Sequence, residues 1–537
     1  MTVAAIIECD LGCNPLGLAS HALDEIGDQT VLARTADRLL RCEAIDAVGL
    51  AAPADQHDRL RAALGGRDVA LFDLRGDDIP SRPMLRRARK WSLSGWRGGL
   101  IGATIYDAFG HPGLAAAAEQ MDADVIVPVP AEWPWIDSAL VDEIVRHHLA
   151  WSLEPGLTLS QAPPGLLPAV HNRDRFAAWC EEGAAVADLL RYDPDKPRAD
   201  IVVQPSFFQV PGDLLRCEHR FTADTDRGMA LARAILASVG PDATAHDVVR
   251  AVAEHPAWWP GPTPREVVLE ITTRRPVEDA LRPLPPIDGA ELSLDDACTV
   301  LRQIGRADDT LLTLAGRGDP LLHPNVGAII AAAREAGVFG VHLVTYGRHL
   351  TPDLARTCVE AGVDVITFLL DAHTPEAYAR FKGGADLADA LEGIATLSRA
   401  RRAADADWPL VAVAFVKTRD TLPEMEAFYD TWMRRGATPV ICGPSDLAGR
   451  VADVAVVSMA PPRRTPCRRL FRRLAVLADG RAPSCEEDVL CRQPLGEAGD
   501  LAAAWSGEAL GNLRRAHLVG RFEDAPLCAR CREWHRP

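Results

Sequence analysis

Short apolar runs alternate with stretches of helical period from the first residues to about position 240. "VAAII" reads as a strand, and "TVLARTADRLLRC" places apolar side chains every three or four positions, as one face of a helix requires. "AVGLAAP", "VALFDL" and "DADVIVPVPAEWPWID" continue the strand–helix rhythm of an α/β sheet. Residues 241–263 end in the Pro/Gly-rich "PAWWPGPTP" and predict a linker. A second series starts at "REVVLEITT" and runs through "DTLLTLAG", "GVHLVTYG", "VDVITFLLD", "PLVAVAFVKT" and "TPVICGP". Helical patterns such as "NVGAIIAAAREAG" and "LTPDLARTCVEAG" fall between these strands. Alternation of this kind over ~200 residues predicts a full or partial parallel β/α barrel. The expected organisation is α/β throughout: domain 1–240, linker 241–263, barrel 264–455, and a short cysteine-bearing tail domain 456–537.

Composition narrows the function classes. The 537 residues are 48% hydrophobic and 25% charged, ordinary for soluble globular domains. A net charge of −17 argues against a nucleic-acid or anionic-membrane binder, because either polyanion would be repelled by the average field. No apolar run approaches the ~18 residues that span a bilayer. "MTVAAIIECDLG" reads as a first strand rather than a signal peptide, so thirteen cysteines are expected in a reducing cytoplasm.

Four of those cysteines close the chain: Cys467 and Cys485 flank "RRLFRRLAVLADGRAPS", and Cys528 and Cys531 form a C-x-x-C in "APLCARCREWHRP". Thiolates in such a frame suit tetrahedral sulfur coordination of zinc or an iron–sulfur cluster, and Cys491 could substitute for one of them. The fifteen histidines form no H-E-x-x-H pattern.

The barrel region resembles the radical SAM superfamily. "VVLEITTR" is similar to that family's first strand, and "LAGRGDPLLHP" to its Gly-Gly-Glu-Pro segment. "LVTYGRHLTPDLARTCVEAGVDVITFLLDAHTPEAYARFKGG" follows its order of Thr-Asn-Gly, helix, strand and Asp. The resemblance implies S-adenosylmethionine bound at Gly318, Asp319 and Pro320. It also implies a C-x-x-x-C-x-x-C after the first strand, whose three thiolates hold a 4Fe–4S cluster. Here "ITTRRPVEDALRPLPP" puts Arg275, Asp279 and Arg282 at those positions, and none is a soft ligand for iron. Arg317 stands where the family has glycine. Ordinary adenosylmethionine cleavage is therefore not expected.

The tail resembles a SPASM-type auxiliary cluster domain, with "LAVLADG", "GEAGDLAAAWSGEALGNLRRAH" and "PLCARCREWH" in the family's order. That resemblance implies one 4Fe–4S cluster on Cys467, Cys485, Cys528 and Cys531. The first region resembles a nucleotidyltransferase-like (GT-A-like) α/β domain, the cytidylyltransferases of sugar activation such as CMP-KDO synthetase and the spore coat polysaccharide protein F group. "ALDEIGDQTVLARTADRLLRCEAIDAVGLAAP", "DADVIVPVPAEWPWID" and "HRFTADTDRGMALARAI" carry it. It implies Mg²⁺ on Glu132 and Asp224, carboxylates being the hard ligands that ion takes. The loop after the first strand, "ECDLGCNPLGLASHAL", lacks the fixed cations that a triphosphate needs, which disfavours nucleotidyl transfer. "MLRRARKWSLSGWRGG" sets Arg86, Arg87, Arg89, Lys90 and Arg97 around Trp91 and Trp96, either an anion or sugar site or a solvated basic helix.

The expected function is an iron–sulfur-binding partner or scaffold, derived from radical SAM enzymes, with a protein partner or a sugar or nucleotide ligand. Cell-surface polysaccharide metabolism is its expected setting. The alternatives are a transferase or modifying enzyme with a rebuilt site, and a structural zinc protein.

Overall fold

The computed structural model describes residues 1–74, 86–87, 89–91, 112–151, 156–182, 194–195, 207–458 and 460–536. The described residues divide into two compact units, the first ending at Trp259 and the second beginning at Pro260. Among the described residues no helix is long and apolar enough to cross a membrane.

The first unit is built on strands β1 (Val3–Glu8), β4 (Ala47–Ala52), β5 (Ala70–Asp73), β6 (Val125–Pro130), β7 (Leu157–Ser160), β8 (Val170–Asn172) and β9 (Phe207–Phe208). They form one sheet in the order β5-β4-β1-β6-β8-β7-β9, and a two-residue hairpin, β2 (Glu25–Ile26) with β3 (Gln29–Thr30), stands apart. β1 pairs in parallel with β4 and β6, and β8 runs antiparallel to both its neighbours. The "TVLARTADRLLRC" pattern is helix Val31–Leu40, capped by the Thr30 side chain, which accepts from the Ala33 amide.

The stretch expected as a linker folds into this unit. Helix Ala245–Glu254 starts at a capping box between Thr244 and Asp247. Its Ala245, Val248, Val249 and Val252 enter the same core as Val127 and Ile144. Burial of that apolar stripe outweighs the Pro/Gly signal just beyond it, and the division falls between Trp259 and Pro260.

In the second unit β10 (Glu266–Leu269), β11 (Leu311–Leu314), β12 (Gly340–Thr345), β13 (Val365–Leu369), β14 (Leu410–Val416) and β15 (Thr438–Cys442) follow one another in an all-parallel sheet with helices between. The sheet order is β15-β14-β13-β12-β11-β10-β16, where β16 is Arg473–Val476. β16 pairs in parallel with β10, Glu266 opposite Arg473 and Leu269 opposite Val476. The expected tail domain is thus not separate from the barrel, because its first strand completes the barrel's sheet. Beyond it, β17 (Arg481–Pro483) and β18 (Pro494–Glu497) form a small antiparallel pair.

Candidate functional site

The carboxyl ends of the parallel strands form the mouth where α/β folds gather functional groups. The loop after β10 carries Arg275, Asp279 and Arg282, the positions where the resemblance implies cysteines. Asp279 and Arg282 belong to one ion-pair network, and Arg275 touches it only through the Tyr346 hydroxyl and the Arg282 carbonyl. Lys382 Nζ, fully buried, lies 2.7 Å from Asp279 Oδ2 and 2.7 Å from Asp371 Oδ2. Arg282 spans the same two carboxylates, with Nη1 3.2 Å from Asp279 Oδ2 and Nη2 3.0 Å from Asp371 Oδ1, and its Nη1 also meets Asp371 Oδ2. The Tyr346 hydroxyl donates to Asp279 Oδ2 at 3.0 Å and accepts from Arg275 Nη2 at 3.0 Å.

Burial alone would push both carboxyls up, but the Lys382 and Arg282 charges more than offset it and hold Asp279 and Asp371 below the ordinary carboxylate range. Two carboxylates face one ammonium and one guanidinium, so the network is neutral overall. Asp371 takes a left-handed backbone, φ 60°, and its Oδ1 accepts from the Val416 amide at 2.9 Å. The residues present do not fit a cluster at this mouth. Cys442 lines the mouth, but it is one thiol where three are needed, and Asp279 and Arg282 are committed to each other and to Lys382 and Asp371.

The segment Gly318, Asp319, Pro320 follows β11. A Cβ at Gly318 would stand 2.2 Å from the Thr272 carbonyl oxygen, so only glycine lets this loop press on the one after β10. Asp319 is 1% exposed; its Oδ1 accepts from the Leu321 amide and its Oδ2 from the Tyr346 amide, both at 3.0 Å, and both oxygens meet Thr345 Oγ1 at 2.9 Å. Its acceptors are filled by the protein. Arg317 also turns inward, its Nε 2.9 Å from Glu270 Oε2 and its Nη1 donating to the Val489 carbonyl at 2.9 Å.

Cys467 is an electrostatic neighbour of Cys485, Cys528 and Cys531. Burial pushes Cys528 up to about 12 and Cys531 up to about 11, with the neighbouring thiols adding to it in each case. The Glu487 amide donates to Cys485 Sγ and the Glu533 amide to Cys531 Sγ, each at 3.3 Å. Arg469 sits beside Cys467 and Cys485, bonds Glu487 Oε1 at 3.0 Å, and keeps a buried Nε without a partner. Neighbouring thiols, N–H donors to two of the sulfurs and an adjacent guanidinium fit a thiolate-ligated centre of negative charge. Cys491, φ 49°, has Arg481, Asp488, Asp479 and Arg317 as its electrostatic neighbours.

In the first unit, Glu132 follows β6 and Asp224 precedes helix Asp226–Val239. Both are buried and each feels the same polar neighbourhood. Ser20 donates to Glu132 Oε1 at 2.6 Å, while Thr222 and Arg220 donate to the two Asp224 oxygens, each at 2.6 Å. The Arg220 guanidinium already neutralises Asp224. The loop after β1 folds onto this place through Asn14, which donates to the Asp224 carbonyl at 2.8 Å.

Burial, with the Asp224 charge adding and the Ser20 bond opposing, raises Glu132 to about 7 from an ordinary 4.5. The unfolded chain releases this proton first, so stability falls as pH rises from about 4.5 to about 7. Glu132→Gln keeps the acceptor for Ser20. Its melting temperature should match the wild type near pH 5 and exceed it at pH 8; a constant difference across that range contradicts the assignment.

Of the basic stretch, Trp91 is buried and Arg89 donates to the Pro15 carbonyl at 3.1 Å; Trp96, Arg97, Gly98 and Gly99 lie outside the described residues. Sequence reasoning gave no role to Lys382, Tyr346 or Glu270. One signal was available: Lys382 is one of four lysines in a chain that otherwise uses arginine, and an ammonium is the compact charge that fits between two carboxylates.

Residues 282–405 match the model of the Radical SAM superfamily, so the chain carries a domain of that superfamily there. The chain is 26% identical over 289 residues to an uncharacterized protein of Treponema pallidum (strain Nichols), spanning 51% of this chain and 79% of that one. Solved structures similar to it include BtrN in complex with AdoMet and 2-DOIA, at 14% identity and a TM-score of 0.34, covering 50% of this chain and 92% of that one. A cytidylyltransferase from Leptospira borgpetersenii serovar Hardjo-bovis is similar at 15% identity and a TM-score of 0.35, covering 48% and 96%.

Proposed function

We propose that this chain holds one iron–sulfur cluster, on Cys467, Cys485, Cys528 and Cys531, and acts as a cluster-bearing partner or scaffold rather than a generator of adenosyl radicals. One observation carries the reading: the ion-pair network of Asp279, Arg282, Asp371 and Lys382 stands where the radical-generating cluster would need three thiolates. Such a cluster supplies one-electron transfer or a structural cross-link when bound. Amides that donate to Cys485 and Cys531 and the Arg469 guanidinium beside Cys467 and Cys485 support the reading. The motif order of the first unit supports a sugar-nucleotide setting, in the cytoplasm. Glu132 and Asp224 are the residues that would hold Mg²⁺ there, in competition with Arg220.

Anaerobic purification with iron, sulfide and zinc quantified tests this. About four irons and four sulfides per chain are expected from one 4Fe–4S centre, and Cys467→Ala and Cys528→Ala should each lose most of them. Eight irons would overturn the reading of the barrel mouth. Zinc without sulfide would make the tail a structural zinc site.

A further inference from the structure

The mouth of the parallel sheet encloses a cavity of about 340 Å³, at the small end of the range for metabolite pockets. Most charges on its wall cancel in pairs. Arg317 is matched by Glu270, Glu486 by Arg473 at 2.7 Å, and Glu487 by Arg469 at 3.0 Å. Arg282 is matched by Asp279 and Asp371. Asp319 has its oxygens filled by Leu321, Thr345 and Tyr346.

Arg275 is different. Its Nη1 and Nη2 donate only to neutral oxygens, the Arg282 carbonyl at 3.2 and 3.1 Å and the Tyr346 hydroxyl at 3.0 Å. Its Nε is buried with no hydrogen-bond partner. No carboxylate among the described residues forms an ion pair with it. The loop spends Asp279 on Lys382 and leaves this guanidinium unmatched beside a partly apolar space. A half-buried cation in such a place loses solvation that only an anion restores.

We infer that the barrel mouth binds a small organic oxyanion, a carboxylate or a phosphate, whose charge meets Arg275 and whose apolar body packs on Leu281, Leu284, Leu369 and Val416. The inference rests on the reading that no cluster occupies this mouth. Replacing the thiolate position by arginine turns a metal-ligand position into an anion anchor, because a guanidinium presents several donors to one oxyanion. Apolar walls that keep water from an ion pair strengthen that pair. The pocket's modest volume favours a compound of metabolite size over a nucleotide.

The test is calorimetric titration of the full chain with phenylacetate, phenyl phosphate and the neutral phenylacetamide. Saturable binding is expected for at least one anion, and which one binds tells carboxylate from phosphate recognition. The amide should bind at least about tenfold more weakly, and Arg275→Gln should weaken the anion at least about tenfold while Arg275→Lys retains part of the affinity. Leu284→Trp fills the cavity, leaves the guanidinium in place and should also abolish binding. Arg348→Gln, whose side chain does not line the cavity, should change nothing. Absence of saturation by both anions at millimolar concentration, equal binding of the amide, or wild-type affinity in Arg275→Gln or Leu284→Trp would overturn the inference. Iron counted on the same samples reports separately on the mouth's lack of a cluster, so the two failures are told apart.

Discussion

Lys382→Met is expected to destabilise the second unit by about 3–5 kcal/mol at pH 7, as removal of one partner from a buried ion network does. The substitution keeps most of the side chain's volume and deletes only its charge. Asp279 and Asp371 would then share the single Arg282 guanidinium in a place that admits no water to Lys382. In the wild type both carboxyls are held below the ordinary range. Their contribution is present above the unfolded value near pH 4 and is lost as pH falls through the lower folded values. Without the ammonium, at least one carboxyl moves upward, and the variant regains relative stability by taking up a proton. The deficit should therefore be largest at neutral pH and shrink toward pH 4. Urea unfolding at several pH values checks it, and a neutral-pH loss under about 1 kcal/mol would show that the network is not under-compensated by the change. Asp279→Asn added to Lys382→Met removes one charge of each sign and should recover part of the loss.

Arg317→Ala is expected to cost a similar amount, about 3–5 kcal/mol, for a different reason. Arg317 is 8% exposed and grips Glu270 through Nε and Nη2, while Glu270 Oε1 also accepts from the Ala478 amide at 3.0 Å. Through the Val489 carbonyl the same guanidinium reaches the segment between the tail thiols. Truncation leaves a buried carboxylate with only backbone donors and a buried carbonyl with none. Glu270→Gln with Arg317→Met should be far milder, since both charges go and the volume stays. Thermal unfolding of the two variants, with iron content measured on each, decides the matter. A single variant as stable as the wild type would mean that the pair is solvated.

The six successive strands from β10 to β15 were legible because parallel strands buried on both faces read as near-continuous apolar runs between helical patterns. The helix at Ala245–Glu254 was misread although "TAHD" is a capping signal, because the dense Pro and Gly after it dominate a local reading. β16 is visible as the strand-like "LAVLADG", but its pairing with β10 is not, because the partner strand lies 207 residues away. The site divides in the same way. Arg275, Asp279 and Arg282 are visible as absences of cysteine, since motif spacing is local. Tyr346, Asp371 and Lys382 approach them from β12 and the segment after β13, and strand register, not local sequence, decides that meeting.

The pairing of β16 with β10 sets an order of events during synthesis. Five of the sheet's seven strands can add to β10 one after another as the chain emerges, each beside its predecessor. The other flank of β10 stays bare until Arg473–Val476 leaves the ribosome, after some two hundred further residues have been made. Its amides and carbonyls then present an unpaired edge, the kind that recruits strands from other chains. A nascent chain stalled before Val476 is therefore a substrate for chaperones or for aggregation. The same strand that protects the edge also separates Cys467 from Cys485, so the sheet is complete before Cys528 and Cys531 are made and the thiol frame can close.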